Sequence, residues 1–260
     1  MTEQRREVPV VGEYRWEILQ ADDLYWLVED KLGNDSLTVL HEMDPPGVSV
    51  HDYICSWFTP GRVFLDVGAH EGHYALRAAR AGCKVIAVEA NPETAAVLRY
   101  NCLLNETDVT IWAFAAWDQP GTLEISLPPK AKLRCGSASV AAPGASEDGP
   151  YTGTGITVAA MHLDAMDLDR LDVVKLDVEG SDLQVIDGMM ETLVRCRPVI
   201  IHESHLQYHT YTEAQMQERY DELTDRAGYK WADIRDLGTE TPYMYAVGIP
   251  DGDHGRGDSR

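Results

Sequence analysis

The sequence predicts an α/β domain built on a mostly parallel sheet with helices on both faces. Three observations predict it. From Val63 onward, short apolar strands alternate with helical stretches: VFLDVG, HYALRAARAG, KVIAVEA, PETAAVLRYNCLLN. Those strands are apolar almost without interruption, as strands buried on both sides are. At 260 residues, the chain can bury a large core without disulfides or metals.

Residues 1–48 carry aromatics at Tyr14, Trp16, Tyr25 and Trp26 and a turn signal at residues 31–35. They predict a hairpin or a short helix that covers one edge of the domain and ends at the DPPG of residues 44–47. VSVHDYICSWF has helical spacing, with Val50, Tyr53, Ile54 and Phe58 on one side. The strand VFLDVG follows, then a helix closed by Gly82, then the strand KVIAVEA. The next helix has Pro92 in its first turn, where a missing N–H costs nothing. VTIWAFAAW (109–117) and GTLEISL (121–127) read as extended.

Residues 128–155 are rich in Pro, Gly, Ala and Ser, which predicts a flap or an irregular insertion. The sheet is expected to resume at GITVAAM, LDVVKLDV and RPVIIHE, with SDLQVIDGMMETLVR as one helix between the last two. TEAQMQERYDELTDRAG predicts a long helix ending at Gly228, and KWADI and YMYAVGI a closing pair of strands. The chain thus divides into a cover (1–48), a main domain (49–250) with an insertion, and a polar tail (251–260).

Charge narrows the function. With 43 acidic against 22 basic residues, the net charge is −21. Such a surface opposes phosphate backbones and anionic membranes, so neither nucleic acid nor membrane is expected as a partner. The five cysteines are scattered and form no CxxC pair, which points to a reducing compartment. There is no secretory h-region at the N-terminus and no apolar run of about 20 residues. A soluble, cytoplasmic protein is the expectation; the oligomeric state stays open.

The strongest motif is FLDVGAHEGHYALRAARAGCKVIAVEAN. A strand ends at Asp66, Gly68 and Gly72 flank the turn into a helix, and the next strand ends at Glu89. Glycines suit a backbone that turns sharply and lets a nucleoside approach closely. An acid at the tip of the second strand suits two ribose hydroxyls. A dinucleotide fold would have GxGxxG with a pyrophosphate at the helix start. Here Glu71 stands in that turn and would repel phosphate, whereas S-adenosylmethionine carries a sulfonium, an ammonium and no phosphate. That cofactor is favoured over NAD.

DVGAHEG, VEANPE, AFAAWD and VKLDVEGSDLQVIDGM, in that order, resemble the FkbM family of S-adenosylmethionine-dependent methyltransferases. The resemblance runs from Val63 to His205. It implies a Rossmann-like class I methyltransferase fold with seven strands, and methyl transfer to a hydroxyl of a sugar or natural-product small molecule. It also implies that Asp66, Gly68 and Gly72 line the methionine end of the cofactor, with His70 and Glu71 on the same turn. Glu89 would hold the ribose, Ala90 and Asn91 would lie beside the adenine, and Ala115 and Ala116 near it, with Asp118 a further candidate. Asn91 before Pro92 is equally a helix cap. The family's usual Asn is His70 here, and residues 128–155 are long. Two other readings are a nucleotide-dependent oxidoreductase, disfavoured by the missing GxGxxG, and a binding module without catalysis.

For the chemistry itself, Asp177 ends one late strand and Glu203 the next, both taken as neighbours of the first strand. Alternation puts Lys175, Asp177 and Glu179 on one side. His205, with a pKa suited to neutral pH, is favoured as the base, with Asp177 and Glu203 orienting substrate or cofactor. Glu179 suits the start of the following helix, and Lys175 receives no role. HESH is not HExxH, and no metal is expected.

Overall fold

The run VFLDV is apolar except for its aspartate, and in the structure it becomes the centre of a sheet. The computed structural model describes residues 6–7, 16–21, 23–29, 50–126, 139–140, 155–204, 211–237 and 244–252. In chain order these form β1 (Arg6–Glu7), β2 (Trp16–Ala21), β3 (Leu24–Glu29), α1 (Val50–Cys55), β4 (Val63–Val67), α2 (His73–Arg80), β5 (Lys84–Val88) and α3 (Pro92–Leu104). Then come β6 (Val109–Trp112), β7 (Ala115–Ala116), β8 (Gly121–Ser126), β9 (Ser139–Val140), β10 (Gly155–Met161) and β11 (Val173–Leu176). The chain continues through α4 (Asp182–Asp187), α5 (Met190–Cys196), β12 (Val199–Ser204), α6 (Glu213–Ala227), β13 (Tyr229–Asp233) and β14 (Met244–Pro250).

The main sheet has seven strands in the order β13-β14-β12-β11-β4-β5-β6, with β14 antiparallel to both its neighbours. The expected seven-stranded, mostly parallel sheet is therefore present. Pleating sends alternate residues to opposite faces. Phe64, Val85, Ala87, Val173, Val199, Ile201 and Val247 join one core with α1, α2 and the N-terminal cover. Leu65, Val67, Val174, Leu176 and Ile200 join the other, with α4, α5 and α6.

Helix ends follow local chemistry. Asn91 caps α3, its side chain accepting from the Glu93 amide at 3.0 Å, with Pro92 in the first turn. Thr212 and Gln215 form a reciprocal capping box at the start of α6, and Gly228 ends that helix in the left-handed region. The expected N-terminal hairpin is β2–β3, closed between Ala21 and Leu24. The turn signal at residues 31–35 lies outside the described residues, as does most of the 128–155 insertion.

Three expectations are corrected. GITVAAM does not resume the main sheet: it is β10, in a second, four-stranded sheet of order β7-β10-β8-β9. Only one face of β10 is buried, at Val158 and Ala160, and such alternation belongs to a half-exposed sheet. SDLQVIDGMMETLVR is two helices, interrupted at Gly188 and Met189, where Met189 leaves the helical region; Gly188 lies so close to Trp117 that an added Cβ would be 2.0 Å from its carbonyl oxygen. The strand bearing Glu203 adjoins β11, not β4. No helix among the described residues is long and apolar enough to cross a membrane.

Candidate functional site

Two adjacent constellations form at the carboxyl ends of the central strands. The first surrounds the glycine turn after β4. Gly68 has φ +79°, and a Cβ there would lie 1.8 Å from the carbonyl oxygen of Asp177. Only glycine fits, because both the conformation and the neighbouring strand exclude a side chain. Gly72, at φ +96°, is likewise hemmed in by Leu98 and Leu76 and starts α2. Between them His70 takes φ +51°, and its amide donates to Glu89 Oε2 at 2.9 Å. Glu89 Oε1 accepts from the Asn91 amide at 2.9 Å. The Glu89 carboxyl thus ties the first two βα turns together. Burial pushes its pKa up, opposed chiefly by His70.

Beside this turn, Ala90 and Ala115 pack in one small apolar cluster with Ile125 and Val158, while Ala116 turns to the larger core. Asp118 is exposed. Asn91 has the capping role that the sequence left equally open.

The second constellation is a set of buried charges that pleating places on a single face. Asp66, Lys175 and Glu203 share parity with Phe64, Val173 and Ile201, and Asp66 lies in register with Lys175. Asp66 is 1% exposed, and among the described residues neither carboxyl oxygen is hydrogen-bonded; the nearby Ala75 amide favours its charge without completing a bond. Burial raises its pKa to about 7, against the pull of Lys175 and with help from Asp177. Lys175, 3% exposed, reaches Asp177 Oδ2 at 2.9 Å and lies 5.2 Å from the centre of the Tyr74 ring. Burial works against its ammonium, but Asp177, Asp66 and Glu203 outweigh it and hold the charge above the usual lysine range. Glu203 is in register with Tyr245 on β14. Burial, and after it Glu203, keeps both Tyr74 and Tyr245 protonated well beyond the usual range.

The structure brings Asp66, Gly68, His70, Gly72, Glu89, Ala90, Asn91 and Asp177 to one end of the sheet, with Glu203 a strand further on. Glu71 sits on the same turn and is held through its carbonyl by Asn101 at 2.9 Å. Glu179, at φ +52°, belongs to the turn before α4. His205 and His209 lie outside the described residues. Sequence reasoning missed Lys175, Tyr74, Tyr245 and Asn101. A lysine inside the otherwise apolar run VVKL was the available signal, since an unpaired lysine is almost never fully buried.

The residues fit S-adenosylmethionine on two observations. Gly68 lets the turn close against the Asp177 backbone, which brings the ends of β4 and β11 together. Unsatisfied carboxyl oxygens at Asp66 suit a cationic ligand rather than a pyrophosphate.

Comparison with known proteins agrees. The model of the methyltransferase FkbM domain matches residues 66–231. A stretch of 64 residues is 41% identical to mouse (Mus musculus) tRNA (guanine(37)-N(1))-methyltransferase, covering 25% of this chain and 13% of that protein. The human (Homo sapiens) protein of the same name is 39% identical over 64 residues, with the same coverage. Among solved structures, methyltransferase FkbM from Methylobacillus flagellatus KT superposes with a TM-score of 0.53 at 14% identity, covering 81% of this chain and 49% of that one. The cofactor is S-adenosylmethionine, and the fold is that of the class I methyltransferases. The chain belongs to the FkbM methyltransferase family.

Proposed function

We propose that this protein transfers the methyl group of S-adenosylmethionine to a hydroxyl of a small molecule, a sugar or a natural product. The observation that carries the proposal is the buried set Asp66, Lys175 and Glu203, with half-buried Asp177 paired to Lys175, beside the glycine turn. When bound, S-adenosylmethionine supplies an electrophilic methyl group on a good leaving group. Gly68 and Gly72 give the cofactor bare backbone, with His70 and Glu71 on the same turn. Glu89 takes the ribose hydroxyls, Ala90 and Asn91 flank the adenine, and Ala115 lies near it, with the backbone of Ala116 beside it. Asp66 faces the cationic end.

What the chain must then do is align the acceptor and take its proton. Alignment alone supplies about 7–11 kcal/mol in favourable cases. Asp177 and Glu203 orient the acceptor hydroxyl, and His205, two residues past Glu203, accepts the proton. Lys175 pairs with Asp177 and offsets the negative charge gathered there. Three carboxylates around one lysine make a poor seat for a phosphorylated acceptor and a good one for a neutral or cationic polyol.

Calorimetry with S-adenosylhomocysteine and NAD, on the wild type and Glu89→Ala, tests the cofactor half. Binding of the first ligand alone, weakened about 100-fold in the variant, supports the placement of the ribose. Turnover of S-adenosylmethionine against a library of hydroxyl compounds tests the acceptor half. Activity only on amines or only on nucleic acid would overturn it, and full activity in His205→Ala would remove His205 as base.

A further inference from the structure

We infer that Tyr74 is an acceptor-binding residue, its phenolic O–H donating to an oxygen next to the hydroxyl that is methylated. The acceptor class follows with it: a compound with two neighbouring oxygens, such as a vicinal diol. This rests on the reading of the acceptor as a hydroxyl compound, and it adds the residue that selects among such compounds.

Tyr74 is the second residue of α2, just past the glycine turn. Its ring is held on three sides. His51 stacks on it with 5.7 Å between ring centres, and His73 meets it edge-on at 4.8 Å. The Lys175 ammonium lies 5.2 Å from its centre. The ring therefore has little freedom, and its hydroxyl has a settled aim. That hydroxyl forms no hydrogen bond among the described residues. Nor is it sealed in the core, as the unpaired carboxyl oxygens of Asp66 are, for Tyr74 is only half-buried.

What surrounds the hydroxyl defines what it can take. Asp66, Lys175 and Glu203 stand on the sheet face that α2 covers. Burial, and then Glu203, Cys55, Asp177 and Asp66, keep the phenol protonated well above the usual tyrosine range. Glu203 is the carboxylate that acts on it most, yet no bond joins the two. Tyr245, in register with Glu203 on β14, stands near enough to feel both groups. A gap thus remains between a phenol that offers its proton and carboxylates that only accept.

The chemistry of a ligand bridging that gap is restricted. An ammonium only donates, and would leave the O–H of Tyr74 unanswered. A carboxylate or phosphate would be repelled by the acids. Hydroxyls both donate and accept, and two on adjacent carbons can do both at once. The reacting one turns its O–H toward Asp177 and Glu203, while its neighbour accepts from Tyr74.

A hydroxyl with no partner in the protein can be removed without breaking a bond of the fold. Tyr74→Phe keeps the ring and its three contacts. Its urea midpoint and its affinity for S-adenosylhomocysteine should both match wild type. The probes are methyl hexopyranosides and cyclitols with vicinal diols, each paired with the analogue lacking one of the two oxygens. Calorimetry on the S-adenosylhomocysteine complex measures their binding without need of turnover. A diol should bind about 10-fold more tightly than its deoxy analogue. Tyr74→Phe should remove that difference and leave the analogue unchanged. Methyl transfer to the same compounds should repeat the pattern in kcat/KM. An equal loss for diol and analogue overturns the inference, as does a panel in which no diol is preferred. So does a 10-fold loss of S-adenosylhomocysteine affinity, which would give the phenol to the cofactor. A diol preference untouched by Tyr74→Phe overturns this inference alone. Turnover confined to amines or nucleic acid overturns the reading beneath it as well.

Discussion

At Gly68 a single methyl group separates a functional turn from a broken one. Adding it would place carbon 1.8 Å from the Asp177 carbonyl oxygen in a left-handed conformation. Gly68→Ala should therefore push β4 and the segment after β11 apart, costing about 2–4 kcal/mol in urea denaturation. Binding of S-adenosylhomocysteine should be lost with it; unchanged binding would show that the turn does not touch the ligand. Asp66 makes a prediction of a different kind. Its carboxyl is raised from 3.8 to about 7 in the folded chain, chiefly by burial. Between those values the unfolded chain gives up a proton that the folded chain keeps. The raised pKa thus adds stability that is fully present below pH 3.8, falls as pH rises, and is gone above about 7. Asp66→Asn removes this dependence. Relative to wild type, it should gain stability from pH 4 to pH 7, by on the order of 2–4 kcal/mol, and hold that gain to pH 8. Parallel urea midpoints across this range would contradict it.

Elements meet through a few side chains that no periodicity announces. Asn101 and Asn105 lie one turn apart on α3 and grip the edge of β3. Asn101 Oδ1 accepts from the Leu27 amide at 2.8 Å, and Asn105 Oδ1 from the Tyr25 amide at 2.7 Å. Asn101 also donates to the Glu71 carbonyl at 2.9 Å, so one buried amide joins the N-terminal cover to the glycine turn. Asn101→Leu keeps the volume but leaves a buried N–H and a buried carbonyl unpaired. A loss of about 2–4 kcal/mol in urea denaturation is expected, with weaker binding of S-adenosylhomocysteine. A loss below 0.5 kcal/mol would mean that water replaces the amide. In the sequence these residues looked like ordinary polar positions on a helix. Main-sheet strands, by contrast, were legible, because burial on both faces writes an unbroken apolar run. GITVAAM was misplaced for a related reason: it is nearly as apolar as those strands, and composition does not say which partner a strand will take. The tight contact at Gly188 was hidden as well, since its partner, Trp117, lies 71 residues earlier in the chain.

Across the whole molecule, the two faces of the sheet divide the labour. The face with α1 and α2 carries Asp66, Lys175 and Glu203. The opposite face buries His202 and Asp182, 3.3 Å apart, with Tyr220 and Tyr211 hydrogen-bonded to them in turn. One residue of register separates His202 from Glu203, and the pleat sends one to the core and the other to the site. DVGAHEG and VEAN made the glycine turn and its Glu89 tie legible because backbone geometry and acids at strand tips leave a local signature. The buried charge cluster did not show itself, because Asp66, Tyr74, Lys175, Glu203 and Tyr245 come from five separate segments. The acceptor's chemistry is still constrained by charge. The curated relatives are named for acting on tRNA, but the likeness covers 13% of the mouse protein. At a net charge of −21, the chain as a whole opposes a phosphate backbone. Its most buried cation, Lys175, is already paired with Asp177. Filter binding of bulk tRNA should therefore show no retention at 50 mM salt, where electrostatic attraction is strongest. Retention that weakens steeply between 50 and 200 mM salt would instead reveal a local basic groove that outweighs the net charge. It would also move the acceptor from small molecules to RNA. Absence of retention, together with methyl transfer to a neutral or cationic polyol, is the expected pair of results.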